Sequence, residues 1–101
     1  MIARIVLLKL KPEFGGAEAL KEIVAESQAS LSSLPGVVSA EVGWPADARA
    51  ASDWDLTFLL RFETIADVEP YRHHPDHRAF VDGYLKPKLS AIKAWNFVLR
   101  S

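Results

Sequence analysis

The chain has 101 residues, half of them hydrophobic and a quarter charged, which is the composition of one globular domain and not of a disordered segment. Lys and Arg number 12 against 13 Asp and Glu, so the net charge is −1 and there is neither the basic footprint of a nucleic-acid binder nor a polybasic membrane patch. The absence of cysteine excludes disulfides, thiolate zinc sites and a Cys nucleophile, and no apolar run approaches the roughly 18–20 residues a membrane span needs.

Met1 to Ile5 already follow a strand pattern without the layout of a signal peptide, so a cytoplasmic protein is expected. Ile2 to Lys11 is a β-branched apolar run closed by Pro12, and it predicts a first strand. Ile2, Arg4, Val6, Leu8 and Leu10 share one face; Ala3, Ile5 and Leu7 share the other. Gly15-Gly16 open a helix whose stripe is Leu20, Ile23, Val24, Leu31 and Leu34, stopped by Pro35-Gly36. Val37 to Trp44 predicts a second strand, Pro45 to Asp53 an Ala-rich polar loop, and Trp54 to Phe62 a third strand in strict alternation. Thr64 and Asp67 form a capping box for a short helix limited by Pro70. His74 at an N-cap and Pro75 at the first helical position open another helix, which runs to about Lys86 before Pro87; Ile92 to Leu99 is the last strand.

The order β-α-β-β-α-β is the ferredoxin-like arrangement, an α+β fold with a four-stranded antiparallel sheet and helices on one face. A solvated sheet face should alternate with polar residues, and the first and third strands do not. A second copy of the sheet is therefore expected to cover the face left open, giving a homodimer. The pattern leaves open which alternating set meets the partner.

Candidate chemistry concentrates in Tyr71-Arg72-His73-His74-Pro75-Asp76-His77, which holds all three histidines, followed by Phe80. Phe80, Val81, Tyr84 and Leu85 lie three, four, seven and eight positions after His77, so at helical spacing His77 belongs to the inward stripe. A first-turn position favours neutral imidazole, and a neutral inward His is a competent general base. The competing reading is a core histidine satisfied by a backbone carbonyl. Pro75 separates His73 from His77 and the helix starts after His73, so the pair lacks ligand geometry; no metal and no cofactor are expected, and no nucleotide or flavin signature appears.

Three segments together resemble the stress-responsive A/B barrel (Dabb) family over nearly the whole chain: Ile5-Val6-Leu7-Leu8-Lys9-Leu10-Lys11-Pro12; Leu34-Pro35-Gly36-Val37-Val38-Ser39-Ala40-Glu41-Val42-Gly43; and Tyr71 with His74-Pro75-Asp76-His77 and Phe80, matching a Y-x-x-H-P-x-H-x-x-F motif. The resemblance implies one such domain over residues 1–101, in a homodimer whose two sheets make a dimeric α+β barrel. It also implies a cavity between sheet and helices that takes a small hydrophobic ligand. In one enzymatic branch, polyketide cyclases of the olivetolic acid type, the last His of the motif is the base and the Tyr assists. Carried over, the catalytic pair is His77 and Tyr71, with Arg4, His74, Phe80 and Tyr84 as candidate substrate-binding residues. That branch has further histidines where this chain has Arg4 and Leu56, so a lyase or isomerase remains as open as a cyclase, beside a binding module without chemistry.

Overall fold

A computed structural model describes residues 1–100. The strands are β1 (Ile2–Leu10), β2 (Ser39–Gly43), β3 (Leu56–Phe62) and β4 (Leu89–Val98), in one sheet of order β2-β3-β1-β4. Every neighbouring pair is antiparallel. The helices are α1 (Ala17–Ser32), α2 (Ala48–Asp53), α3 (Val68–His73) and α4 (Pro75–Arg78), which continues as a π-helical segment over Ala79–Leu85. This is the ferredoxin-like α+β arrangement read from the sequence.

The pleat decides what each strand buries. Val6, Leu8 and Leu10 of β1 and Leu56, Phe58, Leu60 and Phe62 of β3 point to the helix side and are all nearly inaccessible. Against them pack Ile23, Leu31 and Leu34 from α1 and its exit, Val68 and Tyr71 of α3, and Phe80 and Leu85 beyond α4. Ser27 joins the α1 stripe as a fully buried polar residue, where the sequence pattern has no apolar member. Gly36 turns the chain from α1 toward β2 at φ +87°, a conformation costly for any residue with a Cβ.

Three local readings are corrected. Ala48–Asp53, expected as loop, is a short helix, because the Asp47 side chain accepts a hydrogen bond from the Ala50 N–H at 2.9 Å and good helix formers follow. Pro70 does not limit a helix; it lies in the first turn of α3, where its missing N–H has no intrahelical partner to lose. The last strand begins at Leu89, three positions earlier than its alternation indicated. The capping box at Thr64 and Asp67 is present, opening a single 3-10 turn, and the His74 ring caps α4 as expected.

Phe62 is fully buried and meets the Tyr71 ring edge-on at 5.1 Å between centroids. Phe62→Ala is expected to cost about 3–5 kcal/mol of stability in guanidinium denaturation. Ile65→Ala, at a residue 58% exposed, should stay within about 0.5 kcal/mol of the parent.

Candidate functional site

Arg4 breaks the apolar row of β1. Its pleat position sends it to the helix side, between Ile2 and Val6, and its cross-strand neighbours are Leu60 on β3 and Asn96 on β4. A guanidinium there prevents solid packing, since a buried charge needs a partner or water. Beside it lies a cavity of about 340 Å³ between β1, β4, α3 and the α4–π segment. Val6, Leu31, Phe58, Val81, Leu85, Ile92 and Ala94 give it apolar walls. Arg4, Tyr71 and His77 supply its inner polar groups, while Arg72, His73, Arg78, Asp82 and Lys86 also line it.

Local structure fixes these groups. Tyr71 is buried on α3 and its ring lies 4.4 Å from the His77 ring at 59°. Burial pushes the Tyr71 hydroxyl up to about 12, against the opposing pull of Arg4, so it is a neutral donor at physiological pH. Burial likewise holds the His77 imidazole below its ordinary pKa, helped by Arg4 and Arg72 and opposed by the Arg72 backbone carbonyl and Asp82. Nδ1 of His77 is shielded from solvent and makes no hydrogen bond of good geometry, although the Arg72 backbone carbonyl acts on the ring. Partial burial also depresses the Arg4 pKa, but its guanidinium stays a cation and donates from Nη1 to Asn96 Oδ1 at 3.0 Å.

Two carboxylates, Glu69 and Asp82, meet the basic side chains at the rim. Arg72 Nη1 meets Glu69 at 2.9 Å, and His73 meets the other oxygen of Glu69 at 3.2 Å. Arg78 and Lys86 reach the two oxygens of Asp82 at 2.7 and 3.1 Å. These contacts hold both exposed carboxylates below their ordinary pKa.

The structure thus brings Arg4, Tyr71 and His77 to one cavity, and places His74, Phe80 and Tyr84 outside its lining. His74 Nδ1 accepts from the Asp76 N–H at 3.1 Å, so that ring is occupied as a helix cap. Phe80 and Tyr84 stack on each other at 5.8 Å, with Phe80 also against Phe58. The reason is the π segment: its wider turn resolves the single expected stripe into rows. His77, Val81 and Leu85 face the cavity, as do Arg78, Asp82 and Lys86, whereas Phe80 and Tyr84 turn away. Asn96 was not singled out by sequence; it is the polar member of the β4 row Ile92, Ala94, Asn96 and Val98, which only the register against β1 reveals. Among the described residues no group of three or more His, Cys, Asp or Glu could hold a metal, and no helix is long and apolar enough to cross a membrane.

The family model of the Stress responsive A/B Barrel Domain matches residues 2–99. No curated protein matches the chain. Among solved structures, a Dabb family protein with a ferredoxin-like fold from Mesorhizobium loti is 25% identical, with TM-score 0.82 over 99% of this chain and 97% of that one. A dimeric ferredoxin-like protein of unknown function from Thermobifida fusca is 20% identical, with TM-score 0.80 over 97% and 90%. A hydroxynitrile lyase from Passiflora edulis is 16% identical, with TM-score 0.80 over 98% and 93%.

The two buried rings give opposite signs of pH dependence. His77 has its folded pKa below the unfolded value of about 6.5, so the unfolded chain takes up the proton first and stability falls as pH drops below about 6.5. Tyr71 has its folded pKa above the unfolded value of about 10, so its contribution is lost as pH rises from about 10 toward 12. NMR titration should place the His77 midpoint below about 6.5, and Tyr71→Phe should remove part of the alkaline loss seen in denaturation curves.

Proposed function

The chain belongs to the stress-responsive A/B barrel family, and we propose that it binds a small, mainly apolar ligand in the cavity between its sheet and helices, as a homodimer. The observation that carries the reading is the lining: apolar side chains from both layers surround a few convergent polar groups, the usual make-up of a ligand pocket. A cavity of about 340 Å³ lies near the lower end of the range for such sites, roughly 300–1,000 Å³. Val81→Trp, which fills it, should abolish the methyl chemical-shift changes that a neutral ligand such as 1-naphthalenemethanol produces at Val6, Leu85 and Ile92. Absence of any such changes in the parent protein would refute the reading.

Dimerisation is supported by the face opposite the helices. There Ile5, Leu7 and Leu59 sit among Trp95 and Phe97, which are 45% and 52% exposed. An unpartnered apolar patch of this kind fits a sheet-to-sheet contact, which at standard size buries about 1,600 Å². Sedimentation should give twice the 11.2 kDa chain mass, and Leu59→Asp should give the monomer or aggregate. A monomer at micromolar concentration would exclude the dimer. A cytoplasmic setting, which a chain without cysteine accommodates, belongs to the same reading.

A second reading is favoured by one observation, the neutral His77 ring packed against the ring of Tyr71, itself neutral, on the wall of that cavity. In it the protein is a cofactor-independent lyase, isomerase or cyclase. With Nδ1 shielded, His77 Nε2 abstracts a proton α to a carbonyl, and the Tyr71 O–H donates a hydrogen bond to the enolate oxygen. The fold shared with a hydroxynitrile lyase is compatible with proton-transfer chemistry here. Protein-dependent exchange of the α-protons of phenyl ethyl ketone with D₂O tests it by NMR. His77→Ala should slow that exchange by about 10²–10⁴ and Tyr71→Phe by less. Exchange at the buffer rate in the parent protein excludes the acid–base role for this substrate class.

A further inference from the structure

We infer that the ligand of this cavity is a monocarboxylate, with its head group on the Arg4 guanidinium and its apolar body between Phe58, Leu85 and Ile92. The inference rests on the cavity being a ligand site and adds the charge and the orientation of what enters it.

Arg4 is the cavity cation without a carboxylate partner among the described residues; Arg72 is held by Glu69, and Arg78 and Lys86 by Asp82. Its hydrogen bond is to a neutral amide, Asn96 Oδ1 at 3.0 Å, which orients the guanidinium without cancelling its charge. A guanidinium carries five N–H donors in a planar fork, and one contact leaves most of the fork for a bidentate acceptor. The lining cations exceed their carboxylate partners by two units: one is Arg4 on the inner wall, and the other lies at the exposed rim, where Arg78 and Lys86 share the single charge of Asp82. A carboxylate matches the inner unit in charge and in shape, whereas a phosphate monoester carries about −1.5 to −2 charges and would need a second free cation beside Arg4. Tyr71 lines the same cavity as Arg4, and its neutral hydroxyl is a second donor available to a head group there.

The experiment is calorimetry with three ligands of one body, 1-naphthoate, 1-naphthalenemethanol and 1-naphthyl phosphate, on the full chain. Naphthoate should bind at least about tenfold tighter than the alcohol, a charge-assisted gain of about 1.4 kcal/mol or more. Arg4→Gln, which removes the charge but keeps a polar side chain at that position, should erase that preference. Should Arg4→Gln fail to fold, the ranking of the three ligands on the parent protein still decides. Equal affinity for naphthoate and the alcohol overturns the carboxylate inference and leaves the cavity as a ligand site. Tighter binding of the phosphate overturns it in favour of a dianion. No binding of any of the three overturns the cavity reading together with it.

Discussion

One cation on the apolar face of the central strand governs the rest of this structure. β1 is hydrogen-bonded on both edges, so its pleat cannot slip without sending every core residue to the wrong face. Within that fixed register Arg4 is committed to the helix side, in a row otherwise made of Ile2, Val6, Leu8 and Leu10. A leucine there could have been packed over. A guanidinium cannot be sealed into hydrocarbon without a large desolvation cost, so the layer above it stays open. Burial keeps both Tyr71 and His77 neutral, and the charge of Arg4 adds to that effect at His77 while opposing it at Tyr71.

Much of this was legible from the residues. Period-two alternation placed β1 and β3, and Pro75 after His74 placed the start of α4, because in each case a local rule and the tertiary context agree. His77 also reached the cavity wall as expected. Phe80 and Tyr84 did not, and the cause is specific: a count at 3.6 residues per turn carries no sign of a π segment, which forms only against the packed sheet. His74 could be read as a cap, yet nothing in the sequence tells a ring committed to a backbone N–H from one free for a ligand. Asn96 was invisible for another reason. Its role depends on which residue of β1 stands opposite, and pairing across so long a separation cannot be counted from composition.

The two faces of the sheet divide the labour. The helix face holds the core and the cavity, and at β4 that cover thins, leaving Ile92 and Val98 exposed at 42% and 81%. The opposite face carries Ile5, Leu7, Leu59, Trp95 and Phe97 with no helix over it. Both surfaces are therefore apolar, but only one is concave and polar at its centre. That difference separates a place for a small molecule from a place for a flat partner, and it arises from Arg4 standing on one side of the pleat alone.

Arg4 and its Asn96 partner are 92 positions apart, and β1 receives its second neighbour only when β4 joins. Until β4 docks, β2, β3 and β1 can assemble only a three-stranded sheet with β1 as its outer edge. That edge is nine residues long and, apart from Arg4 on one face and Lys9 on the other, apolar, the kind of unpaired strand that invites pairing with another chain. High sequence separation makes closure of this edge slow as well as late. While that edge is open, Arg4 and Lys9 are the two charges on β1 that oppose such pairing, so the cation beside the mature cavity also serves the strand before its last neighbour docks.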